Sequence, residues 1–312
     1  MTDENWEKNV LEKIATAGIQ EQKRSRRWGI FFKLLTFAYL TALLVILMPS
    51  TDKGLGKGTE KHTAVVNLKG IIAPNTEASA DRVITGLRNA FKNKNTAGVI
   101  LRINSPGGSP VQSGYIYDEI LRLREKYPAI PLHAVITDVG ASGGYYVAAA
   151  AENIYVNKSS IVGSIGVRMS NFGFVEMIKK LGIERRTLTA GENKALLDPF
   201  LPANPAVTKH MKNLLNNIHK QFINAVKMGR GDRLKEVDGM FSGLIWTGDQ
   251  SVEIGLADQE ASTSYVAREI IGAENIVDFS IHPDFFERFT ESVGTKIAHI
   301  LTHKSLLPQL KY

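Results

Sequence analysis

A single serine stands among glycines in Asp138-Val139-Gly140-Ala141-Ser142-Gly143-Gly144-Tyr145-Tyr146. An apolar run, Ala134 to Ile136, precedes it and reads as a buried strand; an alanine-rich run, Val147 to Ala151, follows and reads as a buried helix. A strand, a tight turn and a helix with serine at the turn push that hydroxyl out of the sheet edge. The glycines permit the dihedrals of such a turn and let a substrate backbone come close. The chemistry this suits is nucleophilic attack by Ser142. The plain alternative is a glycine-rich packing turn with an idle serine.

A serine hydroxyl is a poor nucleophile until a base takes its proton. Seven histidines are present, His62, His133, His210, His219, His282, His299 and His303. None sits in a recognisable motif, and most fall on expected helix surfaces or ends. A His-Glu-x-x-His pair is absent, which disfavours a zinc peptidase of that type. Lys194, in Gly191-Glu192-Asn193-Lys194-Ala195-Leu196-Leu197-Asp198-Pro199-Phe200, is the better base candidate. Burial disfavours an ammonium and frees the amine, and the apolar neighbours favour partial burial. The plain alternative is an ordinary surface lysine in a loop. A second glycine-rich turn, Asn104-Ser105-Pro106-Gly107-Gly108-Ser109, offers backbone N–H groups at a strand end. Such groups suit an oxyanion or a phosphate; no Walker-type lysine-serine pair follows, which weakens the phosphate reading.

These turns need a frame. Strands are expected over Ala64 to Ile72, Gly98 to Ile103, Ile154 to Val156, Ile161 to Val167 and Ile276 to Ile281, and a further one at Arg185 to Thr189. Helices are expected over Ala80 to Lys92, Gly114 to Lys126, Ala206 to Lys227, Gln250 to Ile254 and Thr263 to Ile271. The stripe Met211, Leu214, Leu215, Ile218, Phe222 and Val226 reads as core. Pro283 opens a last helix with Phe285, Phe286, Phe289, Val293, Ile297 and Ile300 along one side. Strands alternating with helices predict an α/β fold with a largely parallel sheet.

With 312 residues the chain has room for one sizeable domain and accessories. It has no cysteine, which excludes disulfides, thiolate catalysis and cysteine-ligated zinc and fits an oxidising compartment. The net charge of +7 suits nucleic acid or an anionic membrane surface, and the cluster Lys23, Arg24, Arg26 and Arg27 favours the membrane. That cluster precedes Trp28 to Met48, an apolar run about the length of a bilayer-spanning helix, roughly 20 residues. Its one charge, Lys33, lies near an end, where a lysine can reach the headgroups. Positive charge stays cytoplasmic, so the expected topology is N-terminus inside and the rest outside. The run is too long for a cleaved signal peptide, and no small-residue cleavage site follows cleanly.

Together these residues resemble the short form of the bacterial signal peptide peptidase A family, membrane-anchored serine peptidases similar in fold to the Clp protease/crotonase superfamily. The turn at Asn104 to Ser109, then Gly114-Tyr115-Ile116-Tyr117-Asp118, resembles the family's oxyanion segment. Ala141 to Tyr146 resembles its nucleophile turn, Gly163-Ser164-Ile165-Gly166-Val167 its next block, and the stretch around Lys194 the block of its lysine base. Phe241-Ser242-Gly243, Trp246-Thr247-Gly248 and Glu253 to Asp258 complete the match, from about Ala64 to Asp258. The residues between Lys194 and Pro199 are more apolar than the family pattern.

The resemblance implies a Clp protease/crotonase-like β-α-β superhelical core preceded by a single transmembrane helix. It implies Ser142 as nucleophile, Lys194 as general base, Gly108 and Gly143 as oxyanion donors, and Ser164 orienting the lysine, with no cofactor and no metal. The expected partners are apolar peptides such as signal-peptide remnants, membrane lipid and further copies of the chain in a ring or dome, with no nucleic acid. Lys194 then acts within its own chain or on a neighbour's Ser142. The expected organisation is a cytoplasmic tail over 1–27, an anchor over 28–48 and a linker over 49–61. A peptidase domain follows over 62–262, outside the cytoplasm at the bacterial inner membrane, with a C-terminal extension over 263–312. The competing readings are a crotonase-like acyl-CoA enzyme and a non-catalytic membrane scaffold of the same fold.

Overall fold

A computed structural model describes residues 3–47 and 60–282. They fall into two compact units, the N-terminal helix in one and the sheet domain in the other. Helix α1, Asp3–Leu47, runs unbroken for 45 residues, with no proline in it to stop it. It thus continues through the stretch expected as a solvated tail. Its segment Glu12–Leu44 is long and apolar enough to cross a membrane. At 1.5 Å per residue the whole helix is roughly 67 Å long, about twice the bilayer's hydrocarbon core. Two of the hydroxyls in the apolar part are satisfied within the helix: Thr36 donates to the Phe32 carbonyl at 2.8 Å and Thr41 to the Phe37 carbonyl at 2.6 Å. In hydrocarbon no water could take those protons. Of the linker expected over 49–61 only Glu60 and Lys61 are described, and the helix expected after Pro283 lies outside the described residues.

The sheet domain alternates as expected. Its elements are β1 (His62–Lys69), α2 (Ala80–Lys92), β2 (Thr96–Ser105), α3 (Pro110–Lys126), β3 (Leu132–Ala141), α4 (Gly143–Ala148), β4 (Asn153–Val156) and β5 (Ile161–Gly163). Then come α5 (Val175–Lys180), α6 (Pro205–Arg230), β6 (Ile245–Thr247), α7 (Gly248–Glu253), β7 (Gln259–Glu260), α8 (Thr263–Tyr265) and β8 (Ile276–Asp278); α8 winds on as a wider π turn, Val266–Ile271. The strands form one sheet in the order β6-β5-β3-β2-β1-β8, with β4 also on β3 and β7 on β4. Every pairing is parallel except β5 with β6.

Apolar side chains alternate between two covered faces. Leu68, Leu101 and Ile136 face the main core with Leu87, Ile120 and Tyr145. Val65, Ile100 and Val135 face the other side, under Val266 and Ala267 of the π turn. This is why Val99-Ile100-Leu101 reads as a continuous apolar run rather than an alternating one.

Strand β3 decides where the chemistry sits. Its first half, His133 to Ile136, pairs with β4; its second half, Val139 to Ala141, pairs with β5. The sheet forks along one strand, and Ser142 is the first residue past the fork. Three expectations need correction. β5 stops at Gly163 instead of reaching Val167, because Gly163 and Ser164 both have positive φ (103° and 52°), which breaks the ladder. The strand expected at Arg185 to Thr189 does not form, since no strand lies beside it, and Leu188 is 100% exposed. The α6 stripe is core only over its last turns: Phe222 and Val226 are buried, but Leu214 is exposed and Met211, Leu215 and Ile218 are half-covered.

Candidate active site

Ser142 has φ 51° and ψ −123°, a conformation that a residue with a side chain avoids. The surroundings hold it there. Its N–H donates to the Gly163 carbonyl at 2.8 Å, and its carbonyl accepts from the Tyr146 N–H at 2.9 Å as α4 begins. Tyr145 pins α4 from below: it is fully buried and its hydroxyl donates to the Leu256 carbonyl at 2.7 Å. The strain therefore follows from the fork in β3 and the anchored helix, and it presents the hydroxyl to the cleft.

The second glycine turn folds against this one. Ser105 Oγ donates to the Gly70 carbonyl and accepts from the Gly107 N–H. Ile72 clamps the turn, donating to the Gly107 carbonyl and accepting from the Ser109 N–H. A Cβ on Gly107 would stand 2.5 Å from the Gly143 nitrogen and 2.7 Å from Ser142 Cβ; one on Gly108 would stand 2.1 Å from the Ile72 oxygen. Only glycine fits at either place. One on Gly143 would stand 3.2 Å from the Gly108 nitrogen, so the two backbone nitrogens lie side by side next to Ser142. Neither N–H has a hydrogen-bond partner among the described residues. Two free donors beside a nucleophile are what an oxyanion needs.

Ser142, Gly108 and Gly143 share a cleft of about 390 Å³. Its apolar wall comes from Tyr146, Val167, Ile218 and Phe222, with buried Ser113 beneath and Arg168 and Gln221 also along it. The rings of Tyr146 and Phe222 lie 4.9 Å apart, and Tyr146 meets Tyr117 edge-on at 5.2 Å. Burial raises the Tyr146 phenol pKa, keeping it neutral. Sequence reasoning did not pick out these wall residues. Tyr146 could have been found, because it lies one helical turn past Ser142; Arg168 carried no signal.

Ser164 does not line the cleft but lies close to Ser142: it is half-buried, beside the Gly163 whose carbonyl holds Ser142, and its N–H donates to the Leu244 carbonyl at 2.7 Å. Nothing comparable ties Lys194 to Ser142 among the described residues. Lys194 is exposed rather than partly buried, does not line the cleft, and its ammonium has no hydrogen bond or ion pair among the described residues. Its segment, a run of turns after Gly191, is tied through Asp198 to Arg185 at 3.2 Å. The described histidines are elsewhere or engaged. His219 meets the Ile165 carbonyl at 3.0 Å, His62 stacks on Phe279, and His133 is buried in the far face of the sheet, where burial lowers its pKa. Among the described residues no three His, Asp or Glu gather as a metal site.

Comparison with known proteins bears on the family of the chain. The model of peptidase family S49 matches residues 124–275. A putative protease of Synechocystis, slr0021, is 30% identical over 201 residues, covering 64% of this chain and 70% of that protein. A putative signal peptide peptidase SppA of Enterococcus faecium is 28% identical over 218 residues, 67% of this chain and 63% of that one. The Na(+)/H(+) antiporter NhaA of Brucella melitensis is 45% identical over 172 residues, but the chain spans only 23% of that protein's length. Its name therefore describes a chain of which a minor part resembles this one. On the Synechocystis match and the family model, this chain belongs to peptidase family S49.

Proposed function

We propose that this chain is a membrane-anchored serine endopeptidase whose dyad, Ser142 and Lys194, is completed between two copies. The observation that carries the reading is the strained Ser142 beside the free N–H groups of Gly108 and Gly143. Ser142 Oγ attacks a peptide carbonyl and gives its proton to neutral Lys194 Nζ. The two N–H groups hold the resulting oxyanion. Lys194 passes the proton to the departing amine as the C–N bond breaks, leaving an ester on Ser142. Water then attacks that ester, Lys194 takes the water's proton, and Ser142 recovers it as the acid leaves.

The arm that bears Lys194 supports assembly. Phe172 is 77% exposed, and Met169, Met177, Leu181 and Leu188 are exposed as well. The uncovered half of the α6 stripe adds to them. So much exposed apolar surface is unusual on a protein that works alone. A neighbouring copy that covers it would also remove water from the ammonium, and burial favours the neutral amine. Ser164 would orient that amine. Further copies would close a ring or dome.

The apolar wall suits short apolar peptides such as signal-peptide remnants, and no cofactor enters the reaction. Helix α1, the one helix among the described residues long and apolar enough to cross a membrane, is compatible with a one-pass anchor in the bacterial inner membrane. The basic cluster before its apolar part would keep the N-terminus cytoplasmic and the sheet domain outside. No carboxylate among the described residues lines the cleft, which disfavours acid–base chemistry of the acyl-CoA kind. The test is hydrolysis of a quenched fluorescent apolar peptide by the full chain in detergent. Ser142→Ala is expected to lower kcat/KM by at least about a thousandfold with an unchanged melting curve. A Ser142→Ala protein that keeps its activity would overturn the reading.

A further inference from the structure

Among the described residues that line the cleft, Arg168 is the one charged group. It lies on the run that leaves β5 past Ser164, Ile165 and Gly166, next to Val167 of the apolar wall. Its guanidinium has no ion pair and no hydrogen bond among the described residues. Several other surface arginines of the domain contrast with it: Arg88 and Arg122 share Glu119, Arg185 has Asp198, Arg186 has Glu184, and Arg268 has Glu269. Arg102, with no ion pair among the described residues, still donates to Asn67. Arg168 instead lines a cleft that holds no acid among the described residues.

A planar guanidinium with its donors free takes a carboxylate in preference to any other peptide group. We infer that Arg168 sets specificity: it selects peptides that present a carboxylate at the cleft, and it fixes their direction across Ser142. This rests on the peptidase reading above. A peptide remnant supplies that carboxylate in two ways, as its free C-terminus or as an Asp or Glu side chain. Each hydrolysis also makes a new C-terminal carboxylate, so a long remnant would be re-engaged after every cut.

The test uses the full chain in detergent and four peptides built on one apolar sequence. One has a free C-terminal carboxylate; three are amidated and carry, near the end, an apolar residue, Glu or Gln. The expected result is a kcat/KM about fivefold higher for a carboxylate peptide than for its neutral partner, the order of a partly exposed ion pair. The free-acid pair and the Glu/Gln pair show separately which carboxylate is read. Arg168→Gln should bring the preference to about one, Arg168→Lys should keep part of it, and Arg168→Glu should invert it, which loss of a merely structural contact would not do. Raising the salt concentration should shrink the wild-type preference. Equal rates on both pairs, or a preference that survives in Arg168→Gln, overturn the inference while Ser142-dependent cleavage leaves the peptidase reading standing. No hydrolysis of any of the four peptides overturns both.

Discussion

The proposed nucleophile and the proposed base stand on regions built in opposite ways. Ser142 ends a strand whose neighbours on both sides are buried, and its backbone is held by Gly163, Tyr146 and the anchored α4. Lys194 lies on an arm, residues 164–204, whose one helix, α5, buries no residue. The first region is finished within a single chain: strain, donors and cleft wall are all in place. The second exposes much apolar surface that the described residues leave uncovered. On the proposed mechanism a reaction that needs both would be switched on by assembly, with a neighbouring copy excluding water from the amine.

The sharpest way to break that comparison is to divide the site between two proteins. Ser142→Ala and Lys194→Ala should each lose at least about a thousandfold in kcat/KM. If Lys194 works on a neighbour's serine, mixing the two inactive proteins under conditions that let copies exchange should restore activity well above either parent. Mixtures as inactive as their parents, with exchange shown by differently tagged copies, would place the lysine on its own chain.

Glycines in the two regions should differ next. Gly107→Ala puts a methyl group into the Gly143 nitrogen and Ser142 Cβ, at 2.5 and 2.7 Å. The turn must shift, and with it an oxyanion donor, so kcat should fall about a hundredfold or more. Gly173 on the arm has nothing within 4 Å and no positive φ, and Gly173→Ala should leave kcat within a factor of two or so. Equal losses from both would mean that the arm is as closely packed as the platform.

The arginine–aspartate pairs extend the comparison to stability. Arg230 is 1% exposed at the end of α6; it donates to the Gly255 carbonyl and to both oxygens of Asp258, which also accepts from the Ile154 N–H. Burial alone would raise the Asp258 pKa, but the Arg230 and Ile154 hydrogen bonds and the charges of Arg230 and Arg233 hold it below its usual value. Arg230→Met leaves that carboxylate with only the half-exposed Arg233, at 3.1 Å, and the Ile154 N–H, and should cost about 3 kcal/mol of stability, read from thermal or urea unfolding. Arg185→Met on the arm removes an exposed partner of Asp198 and should leave the melting temperature within error.

What the sequence made legible follows the same division. The strands and helices of the platform were readable because both sheet faces are covered, which leaves unbroken apolar runs such as Val99 to Leu101. Ser142 and the glycine turns were readable because only glycine fits where two backbones touch. The arm misled. Arg185 to Thr189 has strand-like residues but no strand to pair with, and the α6 stripe looked like core because apolar periodicity is the same whether a chain covers it itself or leaves it for another. Continuous helix over residues 3–27 was passed over for a solvated tail because Trp6, Val10, Ile14 and Ile19 make only a weak apolar face. Arg168 could not be found at all, since its meaning depends on which charges are absent from the cleft, and that is a property of the fold.

The smallest effect concerns acid, and it should be larger on the platform than on the arm. Glu119 on α3 is nearly buried; the Arg122 hydrogen bond, with help from Arg88, lowers its pKa to about 2 against the pull of burial. Because the folded value lies below the unfolded one, this carboxylate stabilises the fold fully above its ordinary pKa of 4.5, and the stabilisation is lost as pH falls toward about 2. Glu119→Gln should therefore melt lower than wild type at neutral pH, by roughly 2–4 °C. That gap should close between pH 4.5 and 2, where the wild-type carboxylate takes up its proton. On the arm the Asp198 pKa is also lowered, first by the Phe200 N–H and then by Arg185, whose own side chain is half exposed and solvated. Asp198→Asn should therefore change the pH dependence of melting less than Glu119→Gln does. A gap for Glu119→Gln that stays constant down to pH 2 would mean that the triad acts by packing rather than by charge.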